Sequence, residues 1–379
     1  MRKRKVLVMV DWYAPGFKAG GPIRSAVNFA DQLEHDLDIY ILTSDRDLNE
    51  SKPYTGIQTD QWIEVNKHHV FYASPAFLSW SNLQQIIKDI NADYIYLNSM
   101  FSRYFSIYPL LMKRLGKLKA KIVLAPRGML KDSAIQHKGG KKKIFISLFK
   151  SLGIPGSVIF HATDDTEEKD IAHQFGNKIL LFKAGNLPGK QEEYIPPGSK
   201  IPGELDIIFV GRIHPIKNLD FLLQALQGIR QKVELTVIAT LEDEMYWQKC
   251  QKLIQALPEN ITVKLLQDIP HEKIASIIRE HHIFALPTKG ENFGHSIFEA
   301  LAAGRPVLIS DQTPWQNLEA KKAGWVISLA EMENFTGIIQ QAANMDLSML
   351  KEWCKGAWNV ANSYLQNSSV KQSYLKQFS

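Results

Sequence analysis

With 379 residues, 45% of them hydrophobic and a net charge of +6, the chain can bury a sizeable core and is long enough for two or three domains. Its two cysteines, Cys250 and Cys354, lie far apart and outside any CxxC or Cys/His cluster. That spacing speaks against a disulfide framework or a zinc site and fits a reducing cytoplasm. No apolar run approaches the roughly 18 residues of a membrane-spanning helix, so any membrane contact is expected to be peripheral.

The opening MRKRKVLVMVD has the basic head of a signal peptide, but Asp11 cuts the apolar run short and the segment reads as a first β-strand. Gly20 and Gly21 close the next loop and open a helix near Pro22. Short Val/Ile-rich runs then alternate with longer amphipathic stretches, the pattern of parallel sheets with crossover helices. A first set covers residues 6–10, 39–42, 94–97, 121–125, 157–160 and 179–182. A second set covers 206–210, 235–239, 261–266, 282–286, 306–309 and 325–328. Between them the Gly- and Pro-dense segment 184–203 marks an interdomain linker. The expected division is therefore residues 1–190 against 191–361, with a C-terminal helix near 362–379 crossing back to the first domain.

Polar residues cluster where strands of the first set end. Asp45 and Asp47 form a DxD after the strand at 39–42, expected as a polar loop and not as a metal site. Asn98 and Arg103 follow the strand at 94–97, Arg127 follows 121–125, and His161 and Thr163 follow 157–160. Gly20, Gly21, Asn98, Arg127 and His161 are candidates to line a cleft, whereas Trp12 and Phe17 are as readily packing residues. Charge is uneven as well: residues 1–200 hold 28 Lys+Arg against 20 Asp+Glu, and residues 101–150 hold 13 against the single Asp132. This block predicts an anionic partner. Lys138, Lys141, Lys142, Lys143 and Lys150 interleave with Ile144, Phe145, Ile146, Leu148 and Phe149, so peripheral contact of the 113–150 region with an anionic membrane is expected, and no nucleic-acid partner.

The second set carries the strongest chemistry. In LPTKGENFGHSIFEALAAGRPVLIS, residues 286–310, a strand runs into a Gly-containing loop and then a helix stopped by Gly304 and Pro306. At the helix start the amides of Phe293, Gly294 and His295 have no acceptor one turn earlier, which together with the helix dipole makes an anion site. Glu291 precedes this point and Glu299 lies roughly 7 to 8 Å beyond it at 1.5 Å per residue, so two carboxylates bracket the anion. In IIFVGRIHPIKNLDFLLQAL, residues 207–226, Gly211, Arg212 and Lys217 occupy a strand-to-helix loop, the edge where α/β sheets bind ligands. Arg212 and Lys217 can reach one phosphate, a fork of donors and a point charge suited to a departing diphosphate.

These residues resemble the donor domain of family 4 glycosyltransferases, whose signatures GR…K and E-x7-E read here as Gly211, Arg212, Lys217 and Glu291 to Glu299. The resemblance implies a GT-B fold, two Rossmann-like doubly wound domains facing across a cleft, and retention of anomeric configuration. It implies that Arg212 and Lys217 contact the distal phosphate, Glu291 the transferred sugar and Glu299 the ribose. More weakly, residues 125–145 and 161–171 resemble members that build bacterial surface polysaccharides. Where many relatives carry a His, this chain has Pro126, Arg127 and Gly128, and since arginine stays protonated no proton-transfer role carries over.

The implied function is transfer of a sugar from a nucleotide sugar, a UDP- or GDP-sugar, to a glycan or polyprenyl-linked glycan acceptor, without metal or other cofactor. The setting is the cytoplasm, peripherally on the inner face of the membrane. Two alternatives stand beside it: another GT-B sugar-nucleotide enzyme such as an epimerase, or a non-catalytic nucleotide-sugar or glycan-binding protein that has kept the fold.

Overall fold

The computed structural model describes residues 2–131, 135, 139–190 and 192–379. Two compact units divide the chain, one made of Met1–Leu187 with Ser368–Ser379, the other of Pro188–Asn367. The described residues of the 184–203 segment form no helix or strand.

The first unit is built on β1 (Arg4–Met9), β2 (Leu37–Ser44), β3 (Trp62–Val65), β4 (His68–Ala73), β5 (Tyr94–Leu97), β6 (Lys121–Leu124), β7 (Ile159–Ala162) and β8 (Leu180–Lys183). They form one sheet in the order β3-β4-β2-β1-β5-β6-β7-β8, parallel except for β3 against β4. The central strands are buried on both faces, which explains their continuous apolar runs. Helix Gly21–Leu33 covers the sheet with Ile23, Ala26, Phe29, Ala30 and Leu33, a stripe at helical spacing.

The hairpin β3–β4 was not among the strands expected from sequence. Its two-residue turn, Asn66 and Lys67, has φ values of 48° and 69°, a type I′ geometry without the usual glycine, so the sequence carries little signal for it. The final helix, Ser368–Gln377, returns to this unit: Tyr374 and Phe378 are buried and meet the Phe29 ring edge-on, each at 5.8 Å.

The second unit contains β9 (Glu204–Ile213), β10 (Lys232–Leu241), β11 (Ile261–Gln267), β12 (Ile283–Leu286), β13 (Val307–Ser310) and β14 (Gly324–Ile327). All neighbours are parallel, in the order β11-β10-β9-β12-β13-β14. Counted from β9 this is the doubly wound order 3-2-1-4-5-6, which reverses direction between β9 and β12. Both units are thus Rossmann-like, as a GT-B fold requires. Helix Leu347–Gln366 stays with the second unit to its end, because Trp353 stacks on Trp325 at 4.1 Å and Tyr364 joins an aromatic cluster with Phe293, Phe298 and Trp315. The segment that belongs with the first unit is Ser368–Ser379. Among the described residues no helix is long and apolar enough to cross a membrane.

Candidate functional site

In the second unit the loops leaving β9, β12 and β13 are stitched together at the carboxyl edge of the sheet. Thr288 donates its hydroxyl to the Ile216 carbonyl (2.9 Å), the Lys289 amide donates to the same carbonyl (2.7 Å), and Ser310 donates its hydroxyl to the Thr288 carbonyl (2.5 Å). The Glu291 amide donates to the Gln312 carbonyl at 3.1 Å. The fixed loops bring Lys217 and Glu291 into an ion pair, both side chains mostly buried. The pair stands at the point where strand order reverses, the place where open α/β sheets receive ligands.

The other two charged candidates have partners of their own. Arg212 reaches Glu242, at the end of β10, at 2.7 Å instead of sharing a partner with Lys217. Glu299 lies 3.3 Å from His271, the first residue of helix His271–Arg279. Gly211 lies beneath Lys217, whose stem would touch a Cβ added there at 3.5 Å, an ordinary contact.

Helix His295–Ala302 begins at Gly294, which has φ 76° and ψ 64°. A side chain there would be strained by that backbone and would bring its Cβ to 2.8 Å from Ile297 Cδ1, so glycine is required both for the turn and for the close approach. The Phe293 side chain is core: it sits 5.4 Å from the Trp315 ring, and Trp315 donates its indole N–H to the Phe293 carbonyl at 2.6 Å. The His295 ring packs on Phe293 at 4.9 Å. The helix start is thus held by aromatic packing, and its first amides have no acceptor one turn earlier in the helix.

The first unit assembles Asn98, Arg127 and His161 into one network. Arg127 donates to Asn98 Oδ1, Asn186 Oδ1 and the Tyr96 hydroxyl, each at 2.7 Å. Tyr96 in turn donates to His161 Nδ1 (2.8 Å), while His161 Nε2 donates to the Ala184 carbonyl at 2.8 Å. Burial, reinforced by the Arg127 charge, pushes the His161 pKa well below its ordinary value, so the ring is neutral. Asn98 donates to the Pro22 carbonyl (3.4 Å), which ties this network to the Gly20–Gly21 loop. Gly20, at φ 64° and ψ −116°, holds a conformation open to glycine alone.

Arg127 itself has φ 55°, and its loop is clamped by the buried Glu167, which accepts from the Gly128 amide at 2.6 Å and the Thr163 amide at 2.9 Å. Arg127 is therefore a hub joining three strand ends. Arg103 lies outside the network, exposed and donating to the Tyr108 hydroxyl at 3.2 Å.

Asp45 and Asp47 are turned inward. Asp47 accepts from the amides of Phe17 (2.7 Å), Lys18 (3.0 Å) and Leu48 (2.8 Å), fixing the glycine-bearing loop after β1, and Asp45 pairs with Arg46 at 2.7 Å.

Sequence reasoning passed over Asp11, Tyr96, Glu167, Asn186 and Glu242 as site residues. Asp11 lies two residues beyond β1, accepts from the Ser102 hydroxyl at 2.6 Å, and has its pKa raised by burial against the opposing effect of that hydrogen bond. The usable signal for Asp11 and Glu242 was their position, just after a strand at the carboxyl edge of a parallel sheet. Glu167 sits in the first turn of helix Asp165–Phe175, and nothing local in the sequence distinguishes it from a solvated carboxylate.

Residues 204–344 match the family model of glycosyl transferases group 1. D-inositol 3-phosphate glycosyltransferase of Nocardia farcinica is 31% identical over 117 residues, 29% of this chain and 26% of that protein. O-antigen chain mannosyltransferase B of Escherichia coli is 28% identical over 112 residues, 28% of each chain. The chain thus spans little more than a quarter of the length of either relative. Across 98% of both chains the fold is similar to HepE of Anabaena solved in complex with UDP-glucose, with a TM-score of 0.70 and 14% identity.

Proposed function

We propose that this GT-B chain, whose second unit matches glycosyl transferases group 1, is a retaining glycosyltransferase of bacterial surface polysaccharide or glycolipid synthesis. It takes a UDP- or GDP-sugar as donor and a glycan or polyprenyl-linked glycan as acceptor, and acts peripherally on the inner face of the cytoplasmic membrane. The observation that carries this reading is the Lys217–Glu291 pair at the strand-order reversal, beside the Gly294 helix start. The likeness of the matched segment to an O-antigen mannosyltransferase supports the polysaccharide setting.

The chemistry follows from the side chains. The acceptor hydroxyl oxygen bonds to the anomeric carbon, the bond from that carbon to the diphosphate breaks, and the electron pair leaves on the diphosphate. The hydroxyl proton passes to the departing phosphate oxygen. The protein's task is to stabilise the growing diphosphate charge with Lys217, Arg212 and the amides at Gly294 and His295, and to orient the sugar and ribose through Glu291 and Glu299. The first unit supplies the acceptor side through the Gly20–Gly21 loop, with Asn98, Arg127 and His161 bracing it.

Thermal unfolding with a panel of UDP-, GDP- and ADP-sugars tests the donor assignment, because a ligand bound only by the native state raises its stability. A rise with UDP- or GDP-sugars that is lost in Lys217→Ala is expected. A panel without effect would remove the donor site, and a donor that binds but is never cleaved would favour the non-catalytic alternative.

A further inference from the structure

The basic segment of the first unit folds differently from a simple amphipathic helix. In helix Gly139–Ser151, Ile146 and Phe149 are buried, with Phe149 5.3 Å from Phe175 and 6.4 Å from Phe160. Phe145 meets Phe101 edge-on at 5.3 Å. Three of the five apolar residues expected to form one face thus anchor the helix to the core.

The remaining apolar side chains point the other way. Ile144 is 64% exposed, Leu148 56% and Leu152 40%. They are spaced four residues apart, and the Leu152 amide still bonds the Leu148 carbonyl at 2.9 Å, so they form one stripe. The end of the stripe is tied to the preceding helix, where Arg114 donates to the Leu152 carbonyl at 2.5 Å.

Three large exposed apolar residues on one stripe are unusual for a surface that faces only water. The surrounding charge identifies the occupant. Lys141, Lys143 and Lys150 are exposed on the same helix, and Lys142 lies 5.5 Å over the Phe101 ring. Residues 101–150 contain a single acidic residue, Asp132, which with Lys138 lies outside the described residues. A protein partner would meet this surface only with a matching acidic ring around an apolar centre. A bilayer containing anionic lipid offers both chemistries everywhere at once.

We infer that Ile144, Leu148 and Leu152 form an apolar wedge that inserts into the acyl boundary of an anionic leaflet, with Lys141, Lys143 and Lys150 on the headgroups. The inference rests on the membrane-side reading above but on side chains remote in sequence from the donor residues. It differs from purely electrostatic docking in that part of the binding survives salt.

The test is co-sedimentation of the full chain with vesicles of phosphatidylcholine alone and of phosphatidylcholine with phosphatidylglycerol, at low and high salt. Wild type is expected on the anionic vesicles at low salt, with a residual bound fraction at high salt. Ile144→Asp with Leu148→Asp should weaken binding about a hundredfold, roughly tenfold for each apolar side chain kept from the bilayer. Lys141→Gln with Lys143→Gln and Lys150→Gln should lose the salt-sensitive part, about fivefold per lysine. Leu180→Asp, a change at another exposed apolar residue of the same unit, should bind as wild type. No binding at low salt would overturn the inference. So would wild-type binding by the Ile144/Leu148 variant, or a self-associated wild type that this variant turns into a vesicle-inert monomer. Donor binding measured on the same variants stays normal if only the wedge is at issue, which separates failure here from failure of the glycosyltransferase reading.

Discussion

Lys217 and Glu291, 74 residues apart in the chain, close an ion pair between the loops that leave β9 and β12. A diphosphate entering this edge must compete with Glu291 for the lysine. The loops are locked to one another through Ile216, Thr288 and Ser310, so the lysine is already aimed and little ordering is left for the ligand to supply. Lys217→Ala and Arg212→Ala should each lower turnover about 10²- to 10³-fold, the loss of one preorganised charge-stabilising donor. Circular dichroism should show an intact fold. Wild-type turnover in either folded variant would mean that the diphosphate is held elsewhere.

Removing the competitor has a different signature from removing the donor. Glu291→Gln frees Lys217 for phosphate, so free nucleoside diphosphate should bind more tightly while kcat falls through the lost sugar contact. Glu299→Ala should instead raise KM with kcat nearly unchanged, because a ribose contact is made equally in ground and transition states. Titration calorimetry with the diphosphate and steady-state kinetics separate the two. Equal, unchanged kinetics in both variants would remove the bracketing role of the carboxylates.

Asp47 spends its carboxylate on three backbone amides, and two of them belong to the loop that ends in Gly20. Transfer should therefore be insensitive to EDTA, whereas Asp47→Ala should lower it by freeing that loop. A strict Mn²⁺ or Mg²⁺ requirement, restored by metal after chelation, would give Asp45 and Asp47 a different role.

His161 sets a pH dependence on stability. Its pKa in the folded chain is depressed, so below its ordinary value of 6.5 the unfolded chain takes up a proton that the folded ring refuses. The stabilisation is complete above about pH 6.5 and is lost progressively as pH falls below it. The groups around the ring are Tyr96, Arg127, Tyr374 and the Ala184 carbonyl, and none of them titrates between pH 5 and 7. Tm should fall from pH 7 to 5 in wild type and fall less in His161→Gln, which keeps one donor and one acceptor. Parallel curves would show that the ring is not what titrates.

Much of this architecture was legible in the residues, for reasons that differ by element. The parallel strands announced themselves because both faces are buried, which forces runs such as YIYL at 94–97 to be apolar throughout. The loop cluster proposed as the donor edge was legible because Gly294 must take positive φ and because Lys217 and Glu291 sit at fixed offsets after strands. The β3–β4 hairpin escaped because its turn lacks glycine and β3 is a four-residue strand with no fully buried residue. The basic helix was only half legible. Alternating lysines and apolar residues give an amphipathic pattern, but which apolar face meets the core depends on Phe101, Phe160 and Phe175, supplied from distant segments. The Arg127 hub could not be read locally at all, since its partners Asn98, Tyr96 and Asn186 come from two other stretches of chain.

The central claim is that this edge of the second unit cleaves a nucleotide sugar, and release of nucleoside diphosphate from UDP- and GDP-hexoses measures it most directly. With at least one donor, wild type should release the diphosphate, slowly to water and faster with acceptor, and Lys217→Ala should release it about 10²- to 10³-fold more slowly. Release by neither enzyme from any UDP- or GDP-sugar, or equal release by both, would contradict the account.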